Sequence, residues 1–382
     1  MPTWSLAGKR VIVRTDFNIP LSPHGDLLST YKLQRFLPTL AYIKQQQGTP
    51  IMVTHLGRPQ AHDRALSTQV LQSWFIQHGY PVRWCSTLDQ AHTAALGDNI
   101  LLENIRFFAG EKPPEQHFAR ELAELGDYYV QDAFASLHNH DASITLTPTF
   151  FPTQNRSIGL LVKEELQKLR PIMQDRQKSL LMIIGGAKAS TKIPLLQALL
   201  DKTHTIVLLP PLAFSVLSAR NHPIGQSYRD PHAHAACLTF LQQAAQKNVA
   251  IVLPHDFLVT QGSLDAPLLP HPVSFLQEKD IGIACGPKTI AAIQKLCCHE
   301  QGTIIINGLM GFLERQETLE SMRAILQIVA SSSAYSVVGG GDTAALLEQD
   351  ALIDNFDYVS TGGGAMLAYL GGQSLPGLAA LE

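Results

Sequence analysis

Lys188 and Lys192 stand four residues apart, directly after an apolar run and a Gly185-Gly186 turn. On a helix that spacing places both ammonium groups on one face, where they can meet the same anion. Glycine-rich segments recur further along. Gly339-Gly340-Gly341-Asp342-Thr343 follows Tyr335-Ser336-Val337-Val338, and Thr361-Gly362-Gly363-Gly364 follows the next strand-like run; both enter apolar, helix-like stretches. A strand, a glycine loop and a helix start expose backbone N–H groups and the positive end of a helix dipole, which suits phosphate. A pair of such loops with two lysines supports a ligand-phosphate site; tight turns and a solvated lysine pair are the plain alternatives. Gly339-x-Gly341-x-x-Ala344 also fits the loose dinucleotide pattern of an NAD-type oxidoreductase. Asp342 argues against that reading, because its charge would repel a bare pyrophosphate. A carboxylate there suits Mg²⁺ bridging to nucleotide phosphates. No Gly-x-x-x-x-Gly-Lys-Ser/Thr segment occurs, which disfavours a P-loop enzyme.

The first half carries a different chemistry. Asp16-Phe17-Asn18, His55-Leu56-Gly57-Arg58-Pro59 and Glu103-Asn104-Ile105-Arg106 each follow a strand-like run. His55, Arg58 and Arg106, joined by Lys32 or Arg35, can form a local basic pocket, with arginines suited to bidentate capture of carboxylate or phosphate. Asp16 and Asn18 add an acceptor and an amide for the hydroxyl groups of a small polyol acid. Asp16 could equally be a nucleophile or general base, and the residues alone do not separate these roles. His138-Asn139-His140-Asp141 reads as a polar loop before a metal cluster.

The elements that must position these groups are short apolar runs separated by stretches with helical spacing. The runs are 10–15, 51–54, 100–102, 128–130, 180–184, 205–209, 249–253, 303–306, 336–338 and 358–359. Several are apolar throughout, as strands covered on both faces are. Alternation with helices predicts parallel α/β sheets, whose ligands bind beyond the carboxyl ends of the strands. A polar amphipathic helix at 163–176, with Glu164 and Lys168 at i,i+4, reads as a joining element. The expectation is two doubly wound parallel-sheet domains joined by a helix and hinge: 1–162, the helix 163–176, 177–365, and a tail 366–382 returning to the first domain. A small-anion lobe and a nucleotide-phosphate lobe point to a hinge-bending phosphotransferase.

Composition sets the outer limits. The chain has 382 residues, 45% of them hydrophobic and 16% charged, enough for two or three domains with real cores. A net charge of −3 excludes a general polyanion-coating surface, so nucleic-acid partners are not expected. The longest nearly apolar stretch, 206–217, is too short to span a bilayer and contains Pro210 and Pro211. Cys85, Cys237, Cys285, Cys297 and Cys298 are too few and too irregularly spaced for a disulfide framework. Cys297-Cys298-His299 reads as a helix end. The expectation is a soluble, cytoplasmic protein.

These segments together resemble the phosphoglycerate kinase family over nearly the whole length. The resemblance rests on Arg14-Thr15-Asp16-Phe17-Asn18-Ile19-Pro20, His55-Leu56-Gly57-Arg58-Pro59, Leu102-Glu103-Asn104-Ile105-Arg106-Phe107 and Asp132-Ala133-Phe134. It continues in Gly185-Gly186-Ala187-Lys188…Lys192, Asn307-Gly308, Gly339–Thr343, Ser360–Ala365 and Leu375-Pro376-Gly377. It implies reversible phosphoryl transfer from 1,3-bisphosphoglycerate to MgADP, with Mg²⁺ and ADP/ATP, by a monomeric protein. By the same resemblance Asp16, Phe17, Asn18, Lys32, His55, Leu56, Gly57, Arg58, Arg106 and Asn139 line the 3-phosphoglycerate site. Lys188, Lys32 and Gly362, Gly363 and Gly364 serve the transfer itself. Gly186, Lys192, Asn307, Gly308, Gly340, Gly341, Asp342 and Thr343 hold nucleotide phosphates, Glu314 bonds the ribose, and Asp342 serves the metal.

Departures from the family pattern are specific. Lys32 and Asn139 occupy arginine positions, so a planar fork and a charge are lost. Losing one charge-assisted hydrogen bond costs about 1.5–3 kcal/mol. Arg35, one helical turn beyond Lys32, is the candidate to compensate. Leu209-Pro210-Pro211 replaces a glycine triplet beside the adenine, and Ile306-Asn307-Gly308-Leu309 replaces Trp-Asn-Gly-Pro. The alternative reading is therefore a family member with weak activity or altered nucleotide preference that acts mainly by binding.

Overall fold

Every apolar run singled out above becomes a strand in the structure, a computed structural model that describes residues 4–174, 179–312 and 315–382. The chain divides into two units. The first comprises Met1–Leu169 with Gln373–Glu382, and the second Arg170–Gly372. The return to the first unit thus begins at Gln373. Residues 366–372, expected in the returning tail, stay with the second unit because the helix Gly364–Leu370 packs against the helix Ala189–Leu199.

In the first unit the strands are β1 (Arg10–Thr15), β2 (Thr49–Val53), β3 (Val82–Cys85), β4 (Asn99–Leu102), β5 (Tyr128–Asp132) and β6 (Arg156–Ile158). They form a parallel sheet in the order β3-β4-β2-β1-β5-β6. Alternate residues serve opposite faces. Val11, Val13, Met52 and Val130 join Phe17, Leu33, Phe36 and Trp74 in one core, while Ile12, Ile51, Val53 and Tyr129 join Phe118, Leu122 and Phe151 in another. Both faces are covered, so the strands are apolar throughout. Leu375 is buried, and Leu381 packs on the second core. The Gly377 N–H donates to Leu137 O at 2.9 Å. A Cβ on Gly377 would meet Leu137 and Ile144 at 2.9 Å, so the returning segment is seated closely.

In the second unit the strands are β7 (Leu180–Ile184), β8 (Thr205–Leu208), β9 (Ala250–Val252), β10 (Asp256–Gln261), β11 (Leu269–Pro272), β12 (Asp280–Cys285), β13 (Thr303–Asn307), β14 (Tyr335–Gly339) and β15 (Tyr358–Ser360). A parallel sheet runs β15-β14-β13-β7-β8-β9. An antiparallel sheet, β11-β10-β12, adds to the expected architecture and carries its own small core of Phe214, Leu217, Phe257 and Val259.

Each parallel sheet has a point near its middle where the strand order reverses. The reversal lies between β1 and β5 in the first and between β7 and β13 in the second. At such a point the connecting segments diverge and leave a crevice beyond the carboxyl ends of the strands. The expected joining helix begins earlier than the charge pattern suggested, at Leu160, and runs to Gln174; residues 175 and 176 of the expected span lie outside the described residues. Cys297 and Cys298 close the helix Pro287–His299, one buried and one exposed. Among the described residues, no helix is long and apolar enough to cross a membrane.

Candidate active site

Two clusters of polar side chains occupy the carboxyl edges of the parallel sheets, one in each unit. In the first unit Asp16 follows β1, with its side chain only 8% exposed. Lys32 donates to its Oδ1 at 3.0 Å, Ser136 Oγ donates to Oδ2 at 3.1 Å, and the Asn18 N–H donates to Oδ1 at 2.9 Å. Ser136 follows β5, so this group of bonds spans the reversal point. Burial alone would raise the Asp16 pKa, but the Lys32 ammonium, His55 and the hydrogen bonds from Lys32 and the Asn18 N–H together outweigh it and hold the carboxyl well below the usual range. Lys32 also donates to Asn18 O at 3.1 Å, so its charge is committed within the unit.

His55 follows β2 and is buried; burial, with Arg14, Arg106 and Lys32 nearby, drives its pKa well below the ordinary histidine value. Its imidazole is neutral at physiological pH. Gly57 ties the loops together. Its N–H donates to Asn18 Oδ1 at 2.8 Å, and its carbonyl accepts from Arg106 Nη1 at 2.7 Å. Arg106 also reaches Asp141 at 3.5 Å. Arg58 is exposed and has no hydrogen-bond or ion-pair partner among the described residues, so its guanidinium is available to an anion.

Several expected site residues contribute only backbone here. Phe17 lies in the core against Phe36 and Phe75, its N–H donating to Thr54 Oγ1 at 2.8 Å, and Leu56 is fully buried. Asn139 is half-buried, its N–H donating to Ser136 O at 3.0 Å. Arg35 does not take the place of the missing arginine fork: its guanidinium pairs with Glu164 at 3.1 Å. Two contributors stand in the motifs quoted above without a role assigned to them. Asn104 donates to Leu56 O and Leu66 O, both at 2.8 Å, and fixes the His55–Arg58 loop. Arg14 is fully buried and stands 3.4 Å from His55 Nδ1. An arginine inside the apolar run Ile12-Val13-Arg14 was the available signal, because buried cations are rare unless paired.

In the second unit the residues after β7 and β13 meet at the reversal point. Lys188 precedes the helix Ala189–Leu199 rather than lying within it, so the two lysines do not stack on one helical face as expected. Its ammonium is exposed and has no partner among the described residues. Lys192, one turn in, folds down onto the loops. It donates to Gly185 O, to Asn307 O at 3.2 Å and to Asn307 Oδ1 at 3.0 Å. Asn307 Nδ2 donates to Gly339 O and Gly363 O, both at 3.1 Å, so one side chain links the loops after β13, β14 and β15.

Small residues make this convergence possible. A Cβ on Gly186 would meet Lys192 Nζ at 2.9 Å, and one on Gly363 would meet Gly340 Cα at 3.1 Å. Gly308, with φ of 86°, and Gly340, with φ of 120°, adopt backbone that other residues rarely reach. Gly341–Gln349 is a helix whose first turn carries exposed Asp342 and buried Thr343. The Thr343 hydroxyl is buried with no hydrogen-bond partner among the described residues, a polar group at a helix N-terminus that suits an anion.

The same corner tests the fit for Mg²⁺. Among the described residues no three His, Cys, Asp or Glu side chains cluster to cage a metal. Asp342 offers one free carboxylate beside the positive end of a helix. Mg²⁺ is commonly held by one or two carboxylates, completing its shell with phosphate oxygens and water, so the donor set fits. Gly362 and Gly364 flank Gly363 at the start of the helix Gly364–Leu370, and the Gly362 N–H donates to Ser360 Oγ at 3.2 Å. Leu209 is fully buried after β8, with Pro210 and Pro211 leading into the helix Leu212–Ala219. Glu314 lies outside the described residues.

Burial pushes the Lys192 ammonium down to about 8, against the pull of Asp342 in the other direction. The protonated form attracts a polyanion, so with Lys192 on the nucleotide phosphates, as the resemblance implies, affinity is expected to fall as pH rises through that value. Calorimetric titration with MgADP should show about a tenfold weakening between pH 7 and pH 9. In Lys192→Arg the guanidinium stays charged, and the fall should vanish. An equal fall in that variant would remove Lys192 as its cause.

Comparison with known proteins places these clusters in a family. A sequence profile described as phosphoglycerate kinase matches residues 1–373. The chain is similar to phosphoglycerate kinase of Chlorobaculum tepidum, 34% identical, with 99% of this chain and 98% of that protein covered. It is also similar to that of Roseiflexus castenholzii, 35% identical over 99% and 97% of the two chains. The solved structure of phosphoglycerate kinase from Coxiella burnetii superposes with a TM-score of 0.78 at 34% identity, covering 100% of this chain and 98% of that one. The structure from Pyrococcus horikoshii, 22% identical over 99% and 97% of the chains, shares the fold with a TM-score of 0.82. The order of polar loops along the sheets, the full-length profile match and the full-length relatives agree: the chain belongs to the phosphoglycerate kinase family.

Proposed function

We propose that this chain catalyses reversible phosphoryl transfer between 1,3-bisphosphoglycerate and MgADP, giving 3-phosphoglycerate and MgATP. The observation that carries the reading is the convergence of Lys192, Asn307 and three glycine loops at the reversal point of the second sheet, with exposed Lys188 at the head of the helix that bears Lys192. In the forward direction the bond between the acyl oxygen and phosphorus breaks as a bond forms from an ADP β-phosphate oxygen. Lys192 and the N–H groups at the start of Gly341–Gln349 hold nucleotide phosphates. The Lys188 ammonium meets the charge on the migrating group. In the first unit Arg58 and Arg106 take the 3-phosphate of the phosphoglycerate, the acceptor in the reverse direction, while Asp16 and Asn18 orient its hydroxyl and carboxyl end. Asp342 would hold Mg²⁺ beside the nucleotide phosphates, and the bound metal would supply neutralisation of developing charge. Cytoplasmic location and a monomeric state are parts of this reading taken from the family.

A second reading is favoured by one observation. Lys32 is already paired with Asp16, and Asn139 has no charge to offer, so the acceptor site holds less free positive charge than the family pattern. On that reading the chain binds its ligands and turns over weakly. A coupled assay with a panel of ADP, GDP and other diphosphates, run beside calorimetric titration, separates the two. Ordinary turnover with at least one diphosphate supports the kinase; ligand binding without turnover on any of them leaves only the binding reading.

A further inference from the structure

Behind the anion site of the first unit lies a run of buried polar groups that none of the roles above uses. Glu111 is fully buried, as is Arg14. Ser143 stands between them. Its N–H donates to Glu111 Oε2 at 2.8 Å, and its hydroxyl donates to Oε1 at 2.6 Å. With its proton directed at Glu111, the Ser143 oxygen accepts from Arg14 Nε at 2.8 Å. Arg14 also donates to Thr15 O, and its Nη2 stands 3.4 Å from His55 Nδ1. Tyr129 donates to Ser143 O at 2.7 Å and pins the serine from the other side.

The polarity of this chain is fixed at one end. An arginine side chain has donors only and keeps its proton in proteins. Whatever faces Nη2 must therefore present a lone pair, so Nδ1 of His55 carries no proton and the ring hydrogen sits on Nε2. At the other end, a buried guanidinium needs a countercharge. Glu111 supplies it across one hydroxyl in its ionised form; burial pushes its carboxyl up to about 7, against the pull of Arg14 and the two Ser143 hydrogen bonds. We propose that Glu111, Ser143 and Arg14 form a relay that holds His55 as a neutral imidazole protonated on Nε2. Glu111 and Arg14 are then positioning residues for the acceptor phosphate or hydroxyl, to which His55 presents an N–H donor. The charged groups around His55 are consistent with this: Asp16 opposes three cations, Arg14, Arg106 and Lys32, and burial adds to the cations' effect.

The inference rests on reading this pocket as the 3-phosphoglycerate site, but its first test does not. In the full-length protein, ¹⁵N-histidine correlation spectra, with His55 assigned by its loss in His55→Gln, should show the Nε2–H tautomer at neutral pH. Ser143→Ala removes the hydroxyl link. Glu111→Gln removes the countercharge and cannot accept both Ser143 donors. Each should shift His55 toward mixed tautomers and raise the KM for 3-phosphoglycerate about tenfold, the effect of one weakened charge-assisted bond. The KM for MgATP and kcat should stay within about twofold, a split that general loosening of the unit would not give. An Nδ1–H or doubly protonated His55 in the wild type overturns the relay. So do variants that leave tautomer and acceptor KM unchanged, or that raise both KM values together. If neither variant folds, the wild-type spectrum still decides. If the wild type fails to bind 3-phosphoglycerate, the functional reading falls while the spectra continue to judge the relay.

Discussion

Lys188→Ala is expected to lower kcat by about 10²- to 10³-fold, the effect of removing one preorganised group facing developing charge. The side chain is exposed and unpartnered among the described residues, so nothing in the resting fold depends on it. Thermal unfolding should be unchanged, and the KM for nucleotide should move far less than kcat. That pattern belongs to an interaction made mainly in the transition state. Lys192 offers the contrast: held by Gly185 O and Asn307, it is placed to grip bound phosphates, and its loss should appear first in nucleotide binding. A coupled assay on Lys188→Ala giving turnover within about fivefold of wild type would take Lys188 out of the transfer step.

Asp16→Ala should produce the largest loss of stability. Asp16 and Lys32 form an ion pair whose side chains are only 8% and 9% exposed. Removing the carboxylate leaves the ammonium with Asn18 O alone, and an unpaired buried charge typically costs about 3–5 kcal/mol. For a unit of this size that corresponds to a melting shift of roughly 10 °C. Ser136 Oγ and the Asn18 N–H lose their acceptor as well. The double variant Asp16→Ala/Lys32→Met should recover much of the loss, because a neutral side chain then fills the space. Calorimetry on the two single variants and the double variant measures the coupling. If the double variant loses as much as the sum of the singles, the pair is not a unit. Activity should not return with stability, since the acceptor-side carboxylate is gone.

Much of this architecture was legible because parallel strands buried on both faces leave long apolar runs. The polar residues that interrupt the chain just after such runs therefore mark the ligand edge. Asp16, His55, Gly185 and Asn307 were found that way. The antiparallel sheet was not. β11 reads Leu-Pro-His-Pro, a loop by local preference, and forms on an edge where proline needs no ladder partner. β3 was passed over because exposed Arg83 breaks the run at a sheet edge. Spacing alone misread the lysine pair: Lys188 sits before the helix with φ of −90° and ψ of 83°, so helical geometry does not apply to it. Arg35 had the right periodicity to stand in for a lost arginine. Only the fold brings Glu164, more than a hundred residues away in sequence, to claim it. Arg14 and Glu111 were hidden for the same reason, because the value of a buried charge depends on partners that sequence separation conceals.

The docking of Gln373–Glu382 beside Leu137 and Ile144 has a consequence for biosynthesis. As the polypeptide leaves the ribosome, the first unit emerges early yet lacks its closing segment until the entire second unit has been translated. Its hydrophobic seat for Leu375 and Leu381 stays open throughout that interval. Nascent chains stalled within the second unit should therefore be more susceptible to protease near the segment 137–144 than released ones. Fusions that hinder the final segment from reaching its seat should weaken the half of the protein made first.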